Sequence, residues 1–575
     1  MLKLLRYLKP YKWAVLSILM LTFLQSISQL YLPTLMADIV DVGIVNGDIN
    51  YITDVGVIML LVALVITAAT ICASYLSAKT ALGFSTTLRR DIFAQVESFS
   101  LTEFDKFGTA SLITRTTNDI TQIQRVMIMM LRMALGAPLM MVGGVIMAVS
   151  TDAKLSLIII AGVPILVATI YTITKKAMPL FKLLQMKLDQ LSLVMREGLT
   201  GIRVIRAFNR TAYEQQRFHQ ANWNFTVTAV KVNRIMATIM PVMTIVLNFT
   251  IVAVIWFGSM RIDSGHLQVG DLMAFIQYIM HIMFSLMMVS MIFVMIPRAQ
   301  ASAIRINEVL ETKPEIQDAA LVKQAAHKKG WVEFKDVTFS YPGAEKPAIS
   351  NISFKTGPGE TTAIIGGTGS GKSTLISLIP RFYDVDSGQV LVDGIDVREM
   401  AQQHLRSKIG YVPQRAILFS GTIADNLSYG KEGATPEELT QAANTAQATE
   451  FIGNLPGGLQ AEISQGGTNL SGGQKQRLAI ARALVRKPEI YVFDDSFSAL
   501  DFKTDACLRT ALKKETANAT VIIVAQRVST VMHADQIIVL DKGKIVGIGK
   551  HQQLLNTCSV YQEIVSSQLS EEDLA

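Results

Sequence analysis

The chain has 575 residues, of which 50% are hydrophobic and 17% are charged, and its formal net charge is +7 at pH 7. This composition is too apolar for an ordinary soluble protein, and the length allows two or three domains. The basic residues cluster between long apolar segments, which indicates cytoplasmic loops and argues against a nucleic acid as partner. Three widely spaced cysteines, Cys72, Cys507 and Cys558, argue against disulfides or a zinc site.

Six long apolar segments occupy the first half of the chain. An uncharged helix needs about 20 residues to cross a bilayer, and each segment is about that long and lacks Asp, Glu, Lys and Arg. One such run also fits a buried helix of a large soluble protein, but six of them predict a membrane domain over residues 1–297. The predicted spans are Trp13–Met36, Val55–Ala78, Met133–Thr151, Leu155–Thr174, Ile235–Met260 and Leu272–Pro297.

The charges between these segments predict the orientation in the membrane. The loop after the first span carries aspartates and no Lys or Arg, whereas the second and fourth loops are rich in basic residues, among them Arg89, Arg125 and Arg203. Lys and Arg are enriched in the cytoplasmic loops of membrane proteins. We therefore expect both long basic loops and both termini in the cytoplasm, and a multi-pass protein of the plasma membrane.

The two basic loops are about 50–60 residues long and rich in helix-forming residues. They are too long for simple turns and too regular for disorder. The spans are therefore expected to continue as helices below the membrane, with each pair joined by a short crossing segment. These segments are predicted near Phe104–Arg115 and near Ala207–Gln216.

The sixth span has methionines at every third or fourth position, which places them on one helical face. They are Met280, Met283, Met287, Met291 and Met295. Methionine is flexible and polarisable and is common at binding surfaces that accept varied partners. The face therefore fits a cavity wall for apolar substrates, and it fits a helix-packing or lipid-facing surface equally well.

The chain changes character after the sixth span. Residues 298–330 are predicted to form a linker, and residues 331–575 a soluble α/β domain. Residues 366–373, GGTGSGKS, fit the pattern GxxxxGK[ST], and they follow an apolar strand at Thr362–Ile365. A helix-like run, Leu375–Ile379, comes next. This order predicts a phosphate-binding P-loop, whose glycines let backbone N–H groups approach phosphates.

Three residues in and near this loop are predicted to serve ATP and Mg²⁺. Lys372 is expected to reach the β and γ phosphates, and Ser373 to offer its hydroxyl to Mg²⁺. A second apolar strand, Ile490–Phe493, ends in Asp494, which is the acidic residue expected to hold Mg²⁺ through its water shell. A strand that ends in Asp is common by chance, but its occurrence together with a P-loop in one chain is rarely a chance match.

Between these motifs lies the sequence LSGGQ at residues 470–474. With it the chain resembles the ABC transporter superfamily, of which LSGGQ is the signature, and six spans before one ATP domain is similar to the layout of half-size exporters. The resemblance implies an α-helical membrane domain followed by an α/β P-loop nucleotide-binding domain. It also implies that two ATP domains meet head to tail, with each nucleotide between one chain's P-loop and the other chain's signature.

The resemblance also implies roles for single residues. Tyr341 resembles the aromatic residue that stacks on adenine, Gln414 resembles the glutamine that contacts Mg²⁺ and the attacking water, and the crossing segments resemble coupling helices. The residues expected to bind nucleotide are Tyr341, Gly366, Gly367, Thr368, Gly369, Ser370, Gly371, Lys372, Ser373, Thr374 and Asp494. Those expected to complete the partner's site are Ser471, Gly472, Gly473 and Gln474, and the expected Mg²⁺ ligands are Ser373, Gln414 and Asp494.

Two positions depart from the family pattern. Asp495 occupies the place of the glutamate that polarises the attacking water, and Gln526 occupies the place of the switch histidine. Aspartate is one methylene shorter, and small misplacements at a reacting centre can cost about 100-fold in rate. Glutamine can donate a hydrogen bond but cannot carry a positive charge or shuttle a proton. The binding residues are therefore intact and the catalytic positions degenerate.

This combination is similar to one subunit of the heterodimeric ABC multidrug exporters of bacteria. We predict ATP-driven export of hydrophobic or amphipathic compounds, with a second half-transporter that has the intact glutamate. This chain's own site would bind ATP and hydrolyse it poorly, while its signature completes the partner's active site. The alternatives are a working homodimer that acts as a lipid flippase or a peptide exporter, and a channel or regulatory subunit.

Overall fold

The computed structural model describes residues 2–318 and 329–568, with side chains except those of residues 2, 290–294, 297 and 298. Part of the predicted linker, residues 319–328, and the side chain of Met291 in the methionine face lie outside the described residues. The chain forms two compact units. The helical unit comprises Met1–Glu97 and Ala110–Thr312, and the α/β unit comprises Ser98–Thr109 and Lys313–Ala575.

The first part of the chain is helical. Within the described residues its α-helices are α1 (Lys12–Asp38), α2 (Ile49–Glu97), α3 (Leu101–Phe107), α4 (Thr109–Thr114), α5 (Ile120–Thr151), α6 (Leu157–Thr200), α7 (Ile202–Ala207), α8 (Thr211–Ala237), α9 (Ile239–Asp263) and α10 (Val269–Glu311). A 3₁₀ helix, Leu2–Tyr11, precedes them, and π-helical turns at Ile39–Ile44 and Arg115–Asp119 follow α1 and α4.

Six helical segments of the described chain are long and apolar enough to cross a membrane, which confirms the six predicted spans. Several are longer than the bilayer requires: α2 has 49 residues and α6 has 44, against the roughly 20 that span the hydrocarbon core. The extra turns lie on the sides that carry the basic loops, so the spans do continue as helices beyond the predicted membrane boundaries.

The sixth span runs on as one helix, α10, to Glu311. Residues 298–311 of the predicted linker are therefore helical. Their buried apolar positions are Ala299, Ala303, Ile306 and Val309, a spacing of three and four residues that marks one helical face. This stripe is narrow and stands among charged residues, and so the hydropathy of the segment resembles that of a linker.

The apolar core of the helical unit lies among α1, α5, α6, α9 and α10. Tyr278 and Met283 of α10 belong to it, with Met283 4% exposed, and Met287 packs against it. Met283 and Met287, two residues of the predicted methionine face, are therefore packing residues. The cavity face of α10 lies beside them and carries His281, Phe284 and Met288.

Short helices lie in or next to both predicted crossing regions. In the first, Ser100 begins α3 with a capping box, in which the Glu103 carboxylate accepts a hydrogen bond from the Ser100 N–H at 2.7 Å. Gly108 ends the helix with φ 73°, a conformation that glycine adopts without steric cost. The helix α3 belongs to the α/β unit, where the Tyr383 hydroxyl donates to Asp105 at 3.2 Å.

The short helix of the second crossing region, α7, ends at Ala207, where the predicted region begins, so it lies a few residues earlier than predicted; a turn and the start of α8 occupy the predicted region. Asn209 has φ 52° in this turn, a conformation that asparagine tolerates better than most residues. Both helices lie in the helical unit.

The α/β unit is built on two main sheets. Its strands, in the described residues, are β1 (Val332–Phe339), β2 (Ile349–Thr356), β3 (Thr361–Gly366), β4 (Ser387–Val392), β5 (Ile395–Asp396), β6 (Ile409–Val412), β7 (Gly421–Thr422), β8 (Glu462–Ile463), β9 (Ile490–Asp494), β10 (Thr520–Val524), β11 (Gln536–Asp541) and β12 (Lys544–Gly549). One sheet has the order β12-β11-β3-β10-β9-β6, another is the antiparallel β2-β1-β4-β5, and β7 pairs with β8.

Ten α-helices accompany these strands in the described part of the unit. They are α11 (Lys372–Ser377), α12 (Gln402–Ser407), α13 (Ile423–Ser428), α14 (Pro436–Thr445), α15 (Thr449–Gly453), α16 (Gly472–Val485), α17 (Phe502–Glu515), α18 (Val528–Val531), α19 (His551–Thr557) and α20 (Ser559–Ser566).

The larger sheet is parallel from β11 to β6 and has apolar cores on both faces. All five residues of β9 and of β10 are buried, as expected for strands covered on both sides. The fold is thus an α-helical membrane domain followed by an α/β domain, as predicted. The carboxyl ends of β3, β9 and β10 meet at one edge, which is where parallel α/β sheets bind ligands.

Candidate functional site

The loop from β3 to α11 forms a cradle at this edge. Gly369 and Gly371 have φ of 80° and 97°, in the left-handed region that favours glycine. A Cβ at Gly366 would come within 2.2 Å of the Leu540 carbonyl oxygen. Gly367, Thr368 and Gly369 are exposed along the rim of the loop. The glycines thus allow a tight turn whose backbone N–H groups can face an anion.

Lys372 lies inside this cradle with 8% of its surface exposed. Its Nζ donates hydrogen bonds to the carbonyl oxygens of Gly366 and Gly367, both at 2.7 Å. Burial lowers the pKa of this amine, while the carboxylates of Asp495 and Asp494 oppose the shift. The positive charge is therefore already centred on the loop, where it can stabilise phosphate oxygens.

Ser373, which follows Lys372, and Asp494 form a pair of side chains that fits a metal ion. The Ser373 hydroxyl donates to Asp494 Oδ1 at 3.0 Å, and burial raises the pKa of the Asp494 carboxyl, which this hydrogen bond partly counteracts. Residues 2–318 and 329–568 contain no group of three or more His, Cys, Asp or Glu that could hold a metal ion. One hydroxyl and one carboxylate fit Mg²⁺, which keeps several waters and uses substrate phosphates as further ligands.

Asp495 follows β9 directly and collects two amide side chains. Its Oδ2 accepts from Gln526 Nε2 at 3.0 Å and from Gln414 Nε2 at 3.4 Å. Burial raises the pKa of the Asp495 carboxyl, and the Gln414 amide and the Lys372 charge oppose this shift. Gln414 and Gln526 thus both contact Asp495, although the three predicted catalytic residues come from three separate loops.

Tyr341 borders the same loop on its other side. Its hydroxyl lies 3.0 Å from the Thr374 hydroxyl, and its ring meets Phe339 and Tyr383 edge to face. The residue is 38% exposed, so part of the ring is accessible to a planar group.

The LSGGQ segment lies at the start of α16, a 14-residue helix. Ser471 accepts from the Gln474 N–H at 3.3 Å and the Gln474 side chain accepts from the Ser471 N–H at 2.8 Å. Ser471 and Gly472 are exposed. Because these hydrogen bonds are local, the segment is preformed and presents the amino end of α16 to the surface.

A second candidate site is a cavity of about 440 Å³ within the helical unit. Faces of α1, α2, α5 and α10 line it, and its polar groups include Gln25, Gln29, Arg125, Arg132 and His281. Sequence reasoning assigned Arg125 to a loop and did not identify the glutamines. The sequence did contain a signal for these groups. Gln25 and Gln29 are four residues apart and Arg125 and Arg132 are seven apart, so the members of each pair lie on one helical face.

Two protein-family models match the chain. The model of the ABC transporter transmembrane region matches residues 15–287, and the model described as ABC transporter matches residues 349–498.

The chain is 45% identical over 567 residues to an uncharacterized ABC transporter ATP-binding protein of Mycobacterium tuberculosis, covering 98% of this chain and 97% of the relative. It is 31% identical over 570 residues to the ATP-dependent lipid A-core flippase of Chromobacterium violaceum, covering 99% and 97%. Among solved structures it is similar to a bacterial Atm1-family ABC exporter with ATP bound, with a TM-score of 0.82 and 26% identity over 97% of this chain and 99% of that chain.

Proposed function

Because the chain belongs to the ABC transporter family and has the fold of a half-size exporter, we propose that it is the degenerate-site subunit of a heterodimeric exporter. Membership of this family implies ATPase activity coupled to transport and an ATP domain in the cytoplasm. The proposal concerns how the work is divided. This chain's P-loop holds ATP and Mg²⁺ and hydrolyses slowly, and its signature serves the partner's P-loop, where turnover is fast.

The observation that carries this proposal is the contact between Asp495 and Gln526. A general base must reach the attacking water within hydrogen-bond distance. The Asp495 carboxylate is one methylene shorter than glutamate, and its Oδ2 is already engaged by the Gln526 and Gln414 amides. The Gln526 amide does not titrate, so it cannot shuttle a proton. Both changes weaken proton transfer while the phosphate-binding loop stays intact.

The nucleotide-binding residues support the second part of the proposal, which is that this chain's own site binds ATP well. Lys372 is centred in its loop, and Ser373 and Asp494 are joined at 3.0 Å. Ser373 and Asp494 would hold Mg²⁺, which would neutralise negative charge on the phosphates, and the Tyr341 ring would stack on the nucleotide base. A site that binds well and cleaves slowly keeps two ATP domains together between turnovers of the other site.

The proposed cargo is a hydrophobic or amphipathic compound. The cavity in the helical unit is lined by apolar residues, among them methionines and Phe284, and by about as many polar residues, a combination that suits a compound with both apolar and polar parts. The relative that flips a lipid A core favours a second candidate, a homodimeric lipid flippase in which Asp495 is a sufficient base.

Purification separates these candidates. The chain would be isolated from its native membrane with any subunit that accompanies it, and ATP turnover would be measured for the pair and for the chain alone. We expect the pair to hydrolyse ATP at least about tenfold faster, because only the partner's site has a well-placed base. Asp495→Asn should change the rate of the pair by less than about twofold.

A rescue variant provides the control. Asp495→Glu combined with Gln526→His restores the reach and the titratable group, and should raise the turnover of the chain alone by about tenfold or more. The degenerate-site proposal is wrong if the chain alone turns over as fast as the pair and Asp495→Asn abolishes that turnover. That result would favour the homodimer.

A further inference from the structure

The cavity in the helical unit has an uneven distribution of polar and apolar groups. On α5, Arg125 and Arg132 are seven residues apart and face the cavity, and Met133 and Met140 follow on the same side. On α10, Phe284 and Met288 continue the apolar wall. The basic groups therefore lie toward the start of α5, and the apolar groups extend from there into the predicted third span.

The two arginines have no counter-charge in the cavity. None of its lining residues is Asp or Glu, and both arginine side chains are exposed to the cavity space. Two other arginines of the helical unit do have such a partner: Arg261 donates to Asp152 at 2.7 Å, and Arg305 donates to Asp119. Among the described residues, neither Arg125 nor Arg132 has an acidic partner.

Charged side chains at membrane depth usually mark a substrate path, and long arginine side chains near the end of a span reach the membrane interface. Guanidinium groups bind carboxylates and phosphates through two parallel N–H donors. Methionine side chains adapt to chains of different length and shape. The amides of Gln25 and Gln29 line the same cavity and can donate to further oxygens of a head group.

We propose that this cavity binds an anionic amphiphile, with its carboxylate or phosphate at Arg125 and Arg132 and its hydrocarbon chain along Met133, Met140, Phe284 and Met288. The inference rests on the proposed function as an exporter and narrows its substrate class from apolar compounds in general to acids with one apolar tail or more. The cavity volume of about 440 Å³ lies in the range of small-molecule sites.

Binding of a matched probe series tests the charge preference. The full transporter, with the subunit that co-purifies, would be placed in nanodiscs of phosphatidylcholine without ATP. The probes are a fluorescent twelve-carbon fatty acid, its methyl ester and the trimethylammonium compound of the same chain. We expect the acid to bind about tenfold or more tighter than the ester, with the cation weakest, because only the acid pairs with the guanidinium groups.

Two variants locate the effect. Arg125→Gln combined with Arg132→Gln should remove the preference for the acid and leave ester binding unchanged, which also shows that the variant is folded. Arg234→Gln is the matched control, since Arg234 is exposed on α8 outside the cavity, and should keep the preference.

Displacement identifies the source of the anion. Displacement by free dodecanoate alone indicates a single-chain acid, and displacement by didodecanoyl phosphatidic acid indicates a phospholipid, and both results support the inference. Equal affinity for acid and ester, or a preference that survives the double variant, overturns it. Because ATP is absent from the assay, that failure is distinct from a failure of the heterodimer proposal, which is read from hydrolysis rates.

Discussion

In the proposed slow site, the Asp495 side chain is one methylene shorter than that of glutamate, and its carboxylate accepts from two amide side chains. The residue has φ 44°, so the chain turns sharply after β9 and directs the short side chain toward Gln526 and Gln414. A glutamate at this position would extend the carboxylate by one methylene. The proposed slow site thus differs from the family pattern in reach and in the lack of a titratable group at Gln526, while its P-loop residues are present.

His551 makes a second residue-scale contribution, to stability against pH. Its Nδ1 lies 2.7 Å from the hydroxyl of the buried Tyr561, which joins α19 to α20. Burial lowers the pKa of the imidazole, and the nearby His533 adds to this. The unfolded chain therefore takes up this proton first as the pH falls, so the stabilisation is complete above the unfolded pKa of about 6.5 and is lost at lower pH.

We predict that His551→Gln reduces this pH dependence. Glutamine can hydrogen-bond the Tyr561 hydroxyl but does not titrate. Thermal unfolding of the full chain would be followed between about pH 5 and pH 8. The stability of the wild type relative to the variant should fall as the pH is lowered below about 6.5. Curves that stay parallel over this range would contradict the assignment of the effect to His551.

At the scale of helices and strands, local patterns determined what sequence reasoning could recover. The six spans follow from uninterrupted apolar runs, and the order of β3, P-loop and α11 follows from residues adjacent in the chain. The end of α10 at Glu311 was missed because its buried stripe consists partly of small residues, Ala299 and Ala303, which hardly raise hydropathy. Their burial depends on neighbouring helices.

The P-loop site and the cavity also differ in how far local sequence patterns predict them. The P-loop residues are consecutive, and a motif identifies them. The cavity combines Gln25 of α1, Arg132 of α5 and His281 of α10, which are more than 100 residues apart along the chain from one helix to the next. No local pattern relates such positions, and only the packing of the three helices shows that Arg132 faces the same space as His281.

The connection between helices α5, α6 and α9 gives an element-scale prediction. Asp152, whose side chain is 3% exposed, accepts from Arg261 at 2.7 Å and from the Leu155 N–H at 2.9 Å. It thereby joins the turn after α5 to the end of α9. Arg261→Met leaves the buried carboxylate without its cation and should destabilise the helical unit by about 2–4 kcal/mol.

A second substitution tests the reason for that loss. In the double variant with Asp152→Asn no charge remains buried, and the asparagine oxygen can still accept from the Leu155 N–H. Thermal unfolding of the detergent-solubilised transporter should show that the double variant recovers about half or more of the loss. Additive losses would mean that the two side chains act independently.

At the scale of the whole molecule, the proposal assigns two halves of one chain to two different nucleotide sites. The P-loop, Asp494 and Asp495 belong to the slow site, while Ser471 to Gln474 belong to the fast one. Substitutions in these two groups should therefore have unequal effects on hydrolysis by the pair, although both lie in the same α/β unit. A homodimer has two identical sites, and in it both kinds of substitution would strike every site.

Gly472→Asp is the sharpest test of this asymmetry. A Cβ at Gly472 meets no atom within 4 Å, so the chain itself accommodates the side chain, but the new carboxylate would face the phosphate bound by the partner. We expect the ATPase rate of the pair to fall by about 100-fold or more, because a preorganised donor site becomes repulsive. Asp494→Asn, in the slow site, should lower the same rate by less than about threefold.

Gly453→Asp supplies the control for Gly472→Asp. Gly453 is also exposed, and a Cβ there also meets nothing within 4 Å, but it lies at the end of α15, outside the signature. It should leave hydrolysis unchanged. If Asp494→Asn instead abolishes turnover as completely as Gly472→Asp does, then both sites need this chain's metal-binding carboxylate. The division of labour between unlike subunits would be wrong, because only a pair of equivalent sites gives that result.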